Sequence, residues 1–296
     1  MTDVEISAAR RLYWSVRREL WENRAIYLAP LIVAALVLVG FGLSLFTLPA
    51  RMRAASTLGP PELREAIEQP YVIAALLLMA VDLLVAVFYC VDALYGERRD
   101  RSILFWKSLP VSDLTTVLAK ASIPILVLPL MTSVATVVTQ GIMLLASSAV
   151  LAASGMSSVT SSAHRPLLEM SRINLVHLLM VHGVWYAPFY AWLLLASAWA
   201  TRLPFLWATL PPVVIGIVER IAFNSTHFAT MVRTHLLGGP PGSPGDGGTT
   251  SGMTMEMLAG HPLVDVVVSP GLWGGLLLAA VFLLAAVRLR RQRGAM

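Results

Sequence analysis

Few side chains here are of a kind that does chemistry, and their spacing limits what they can do. Asp82 is a carboxylate near the middle of a long apolar run, His177 and His182 lie in another such run, and Cys90 is the single cysteine. A nucleophilic Ser or Cys needs a base held by a third group, and Gly155-Met156-Ser157-Ser158 is only a fragment of a serine-hydrolase pattern. His177 and His182, five apart, do not share a face of an α-helix, and zinc wants three or four converging ligands. None of the six histidines is followed by Glu, so the His-Glu-x-x-His pattern of a zincin is missing. A phosphate-binding loop needs Gly-Lys-Ser/Thr, but the two lysines, Lys107 and Lys120, follow Trp106 and Ala119. One cysteine makes neither an intramolecular disulfide nor a cysteine metal cluster; within its apolar run it reads as a buried, inert thiol. These residues give no catalytic site, no metal and no cofactor bound by the chain itself.

The elements that must position them are membrane spans. The 296 residues are 57% hydrophobic and 13% charged, against about 25% charged in an ordinary soluble domain, and the mean hydropathy is +0.72. A span takes about 20 apolar residues. Runs of that kind occupy 26–48, 71–95, 121–152, 174–200, 203–223 and 267–289. The expected fold is an all-α membrane protein: one transmembrane domain of six helices over 1–296. The third run is longer than one upright span, so it tilts or projects beyond the bilayer.

Orientation follows from Lys and Arg in the flanks. Fifteen fall on one side: Arg10, Arg11, Arg17, Arg18 and Arg24; Arg98, Arg99, Arg101, Lys107 and Lys120; Arg202; and Arg288, Arg290, Arg291 and Arg293. The other seven of the 22 fall on the opposite side. Both termini are therefore expected in the cytoplasm, in a multi-pass protein of the cytoplasmic membrane. This topogenic role accounts for the net charge of +5 without nucleic acid. The first apolar run starts too far into the chain for a cleavable secretory signal. Residues 5–24 instead read as an interfacial helix, with Ile6, Ala9, Leu12, Tyr13, Val16 and Leu20 on one arc and the Arg, Glu and Trp residues on the rest. Residues 238–252 (GGPPGSPGDGGTTSG) read as a flexible outer linker, followed by a Met-rich piece at 253–258.

Polar residues inside the spans have two readings each. Asp82 is costly in a span, at roughly 2.5–3.5 kcal/mol; it lines a pathway or is a hydrogen-bonded structural carboxyl. Asp92, near a span end, is expected to hold the neighbouring arginines. Thr132, Thr136, Thr139, Gln140 and Ser147 recur on one face of the third span, where they either pack helix on helix or line a pathway. Pro211-Pro212 is expected to kink or break the fifth span. Glu219 and Arg220 follow, as candidates for an outer gate.

Residues 94–120 read LYGERRDRSILFWKSLPVSDLTTVLAK. Topology alone explains the arginines but not Glu97 and Asp100 among them, nor Phe105 and Trp106. Aromatic anchors ringed by charge are what a small protein interface uses. Pro110 is placed to stop a helix and Ser112 or Asp113 to cap the next. This run resembles the signature loop of permease subunits of bacterial type-two ATP-binding-cassette (ABC) transporters, most closely from Asp92 to Lys120. WLLLASAWATRLPFLWATLPPVVIGIVER, residues 192–220, is similar to that family's fourth and fifth spans. The resemblance implies a coupling helix over 96–110 that docks on a separate ATPase subunit through Glu97, Arg98, Arg99, Asp100, Arg101, Phe105, Trp106 and Lys107. It implies ATP and Mg bound in that partner, a second permease copy, an exporter, and a re-entrant outer region before span six. Two readings of other classes stand beside it. One is a membrane scaffold or sensor recruiting a non-ATPase partner. The other is an intramembrane enzyme built on Asp82, His177 and His182.

Overall fold

The computed structural model describes residues 7–58, 60–108, 111–155, 172, 175–233 and 268–292. The linker 238–252, the Met-rich piece 253–258, Pro110, Ser157 and the region expected to be re-entrant before span six lie outside the described residues. The described residues form helices and no strand. They are α1 (Ala8–Glu22), α2 (Ala25–Ser44), α3 (Leu48–Leu58), α4 (Pro60–Ala93), α5 (Tyr95–Arg99), α6 (Ser102–Ser108), α7 (Asp113–Ser122), α8 (Leu128–Ala153), α9 (Leu175–Trp185), α10 (Ala187–Trp199), α11 (Pro204–Phe223), α12 (His227–Arg233) and α13 (Pro270–Gln292). Five helical stretches are long and apolar enough to cross a membrane, and α9 with α10 makes a sixth if that bent pair is one span. The described residues make an all-helical, multi-pass membrane protein.

Two breaks have chemical causes. Between α7 and α8, Ile123–Val127 is a π-helical turn; Pro124 has no N–H to continue the α-helical ladder, and the wider turn absorbs the defect. The end of α9, Leu178–Trp185, is also π-helical, with the Tyr186 N–H donating to Val181 C=O five residues back at 3.1 Å. There α9 and α10 meet at 46°, and Pro188 lies in the first turn of α10, where its missing N–H costs nothing. The break expected at Pro211-Pro212 is not found: α11 is one helix through both prolines. Pro212 cannot donate to the Ala208 carbonyl, but Trp192 Nε1 on α10 does, at 2.8 Å. A borrowed donor is what an apolar environment demands of an orphaned carbonyl.

The described chain divides into two compact units, 1–24 with 86–127 and 179–296, and 25–85 with 128–178. In the second, α2 and α3 pack on α8, around Leu48, Met52 and Leu151. The polar stripe of α8 faces inward: Thr132, Thr136, Thr139, Gln140 and Ser147 are all buried. In the first unit, α10 packs along α13 through a seam of small residues, Ala187, Ala191 and Ala279, which lets the two backbones approach closely. Trp192 and Phe282 close that seam with ring centroids 5.4 Å apart.

Candidate functional site

The loop expected to be one helix over 96–110 is two short ones, α5 and α6. Arg101 separates them at φ 59°, in the left-handed region. A non-glycine residue pays for that geometry, so the surroundings must hold it.

They do so through a buried ion lattice in the first unit. Glu19 of α1 is fully buried. Its oxygens accept from Lys120 Nζ of α7 at 2.9 and 3.0 Å, from Arg18 Nη2 at 2.6 Å, and from the Tyr89 hydroxyl at 2.9 Å. Glu97 of α5 is paired with the same Lys120 at 3.2 Å, with Arg18 at 3.3 Å, and with Arg290 near the end of α13. Arg290 Nε also donates to Asp113 Oδ1, at the start of α7, at 3.0 Å. Three carboxylates, Glu19, Glu97 and Asp113, thus face three cations, Arg18, Lys120 and Arg290, and the exposed Glu22 lies 3.7 Å from Arg18 at the edge. Burial alone would raise the Glu19 carboxyl; the Lys120 and Arg18 charges outweigh it and hold that pKa below its ordinary value. Charged side chains of four elements, α1, α5, α7 and α13, meet in this lattice, and Tyr89 adds the end of α4.

A second clamp holds α5 against α10. The Ser197 hydroxyl accepts from the Leu94 and Tyr95 N–H groups at 3.0 and 2.9 Å, capping the start of α5. Arg98 Nη2 donates to the Ser197 and Ala200 carbonyls, both at 2.7 Å, capping the end of α10, where a cation also meets the negative end of the helix dipole. Arg98 is buried. Glu97 and Arg98, expected among the docking residues, therefore point into their own unit. What they do there is position the loop.

The outward part of the loop is different. Arg99, Asp100, Arg101, Leu104, Phe105 and Lys107 are exposed, and Phe105 lies 59% open. Arg99 Nε donates to Asp100 Oδ1 at 2.9 Å, and its Nη1 lies 3.6 Å from Asp92, the pairing expected for Asp92. The Arg99 hydrogen bond keeps the Asp100 carboxyl below its ordinary value. Phe105 packs edge-on against Trp106 at 4.8 Å, while Ile103 on the other side of α6 is buried. Trp106 is half-buried under the Arg18 guanidinium, 4.0 Å from its ring centroid, so the aromatic pair hangs on the same arginine that serves Glu19 and Glu97. Ser112 caps α7 as expected, accepting from the Thr115 N–H at 3.1 Å.

The other candidate residues lie elsewhere. Asp82 is fully buried and accepts from the Thr132 hydroxyl at 2.7 Å. Gln140 donates to the Tyr71 carbonyl at 3.1 Å, and the Tyr71 and Ser147 hydroxyls are 3.1 Å apart. Thr136 and Thr139 bond back to their own helix. The Asp82, Gln140 and Ser147 contacts join α4 to α8, while the Thr136 and Thr139 bonds stay within α8. Glu219 accepts from the Ser225 hydroxyl at 2.7 Å and from the His227 and Phe228 N–H groups at 2.7 and 2.9 Å; it caps α12 across the turn made by left-handed Asn224. Its neighbour Arg220 is exposed on α11. His182 is buried beside Tyr186, ring centroids 5.6 Å apart. Among the described residues, no group of three or more His, Cys, Asp or Glu could hold a metal ion.

Sequence reasoning missed Glu19, Tyr89, Ser197 and the ion pairing of Asp113, Lys120 and Arg290. One signal was present. Glu19 falls on the helical face opposite Arg10 and Trp21, which is an odd place for a solvated acid. Comparison with known proteins gives no match, whether with family profiles, curated proteins or solved structures.

Proposed function

We propose that the chain is the permease subunit of an ABC exporter: a membrane-spanning protein with no catalysis of its own, driven by a separate ATPase subunit that docks on the outward face of 99–107. The observation that carries this reading is a short segment with exposed charges and aromatics, fixed from behind by a buried lattice. A docking element that must transmit force has to be stiff. A buried ion network fixes registry at little net gain in stability. On this reading ATP and Mg bind in the partner, the partner's closure moves the loop, and Glu97 and Arg98 pass the motion to α7, α10 and α13. Both termini and the loop are then cytoplasmic, as the Arg distribution favours. A second permease copy would complete the translocation path.

The reading is tested by capture of the tagged chain in mild detergent. An ATP-binding subunit carrying Gly-x-x-x-x-Gly-Lys-Ser/Thr should copurify with the parent and be lost from Phe105→Ala and Arg99→Glu. Central interface residues typically cost about 2 kcal/mol or more when truncated. Both variants retaining the partner at the parent's level would sink the docking assignment.

A further inference from the structure

Helix α1 turns a face away from the lattice that the docking reading does not use. At 3.6 residues per turn, Arg10, Trp14, Arg17 and Trp21 fall within an arc of about 60°, opposite buried Glu19. They alternate Arg, Trp, Arg, Trp along the helix. The Arg17 guanidinium lies between the two rings, 5.1 Å from the Trp14 centroid and 4.7 Å from that of Trp21. Trp14 and Trp21 are 47% and 63% exposed. Stacking of this kind holds a guanidinium without neutralising it, so its N–H groups stay available to an anion. The acids of α1 do not offset this face: Glu19 is consumed by the lattice, and Glu22 lies toward Arg18, 3.7 Å away.

Only Asn23 and Arg24 separate α1 from α2, the first apolar span. Two residues reach less than about 10 Å, so the Trp21 end of the stripe is tethered close to the start of the first apolar span. Tyr13, Val16 and Leu20 flank it on one side, an apolar edge for the acyl boundary. We infer that this stripe is a binding surface for anionic phospholipid headgroups, with Arg10 and Arg17 on the phosphates and Trp14 and Trp21 seated at the interface. Zwitterionic lipid offers the same phosphate but no net charge, so selectivity between the two is the signature. The inference needs only the membrane class of the protein and not the ATPase reading.

The test uses the full chain, delipidated in mild detergent and offered equal amounts of phosphatidylglycerol and phosphatidylcholine, with retained lipid counted by native mass spectrometry. Phosphatidylglycerol should be retained in roughly tenfold preference. Arg10→Gln with Arg17→Gln should remove most of that preference, Arg10→Lys with Arg17→Lys should restore much of it, and Arg51→Gln with Arg53→Gln should leave it as in the parent. Matching thermal unfolding of all four proteins shows that the fold is intact. Equal retention of the two lipids by the parent, or a preference unchanged in the Arg10/Arg17 Gln variant, overturns the proposal; the second result would place the anionic lipid elsewhere on the chain.

Discussion

Replacing Lys120 by Met asks whether the buried lattice is electrostatic in substance. Met keeps most of the volume and the unbranched stem, so if Lys120 mattered only as packing, the cost would stay below about 1.5 kcal/mol. The charges predict more. Lys120 gives Glu19 contacts of 2.9 and 3.0 Å and stands 3.2 Å from Glu97. Without it, the buried carboxylates of Glu19 and Glu97 and the partly buried Asp113 share Arg18 and Arg290, one cation short. Removing one partner of a buried pair costs about 3–5 kcal/mol. At a few degrees per kcal/mol for a chain of this size, the detergent-solubilised variant should unfold about 10 °C below the parent. Glu19→Gln in the same chain removes the surplus charge. The double variant should therefore lose less than the sum of the two single losses, with a coupling of about 2 kcal/mol. The measurement is thermal unfolding of the four proteins followed by tryptophan fluorescence. A Lys120→Met protein within two or three degrees of the parent, or strict additivity in the double variant, would refute the lattice.

Further outcomes follow from the same contacts. The folded Glu19 pKa is lowered from its ordinary 4.5, so its stabilising contribution is complete above about pH 4.5 and is lost as pH falls through the lower folded value; Glu19→Gln should flatten that acid limb of a stability-against-pH curve. Trp192→Phe leaves the Ala208 carbonyl without the indole donor and should cost about 1–3 kcal/mol. Adding Pro212→Ala returns a backbone N–H to that carbonyl, so the double variant should recover stability in the same unfolding assay, and its failure to do so would separate Trp192 from the prolines. Arg101→Gly removes left-handed strain and should leave thermal stability equal or raised by about 1 kcal/mol, whereas Arg101→Val should lower it.

Hydropathy made the helical membrane class legible, because lipid imposes the same requirement on every span. The loop was legible as a charged, aromatic segment, and Ser112 as a cap, since capping is a local property. Three things were not. The break at Tyr186 in place of Pro211 depended on a tertiary contact: whether a proline kinks a helix turns on whether a neighbour supplies the missing donor, and Trp192 lies nineteen positions before Pro211 in the chain. The inward turn of Glu97 and Arg98 depended on partners as distant as Arg290 and Ser197, which no local pattern announces. Lys120 and Arg290 fitted the topogenic excess so well that their second use was hidden. On α1 the sequence reading reached an interfacial helix but not the stacking of Arg17 between Trp14 and Trp21, which depends on side-chain geometry.

The most direct test of the functional reading is to isolate the tagged chain in mild detergent and identify what stays with it, with and without Phe105→Ala. The reading predicts a stoichiometric subunit with a phosphate-binding loop, present with the parent and absent from the variant, while both proteins unfold at the same temperature. A well-folded parent that brings no nucleotide-binding subunit, or one that the variant retains in full, would contradict it.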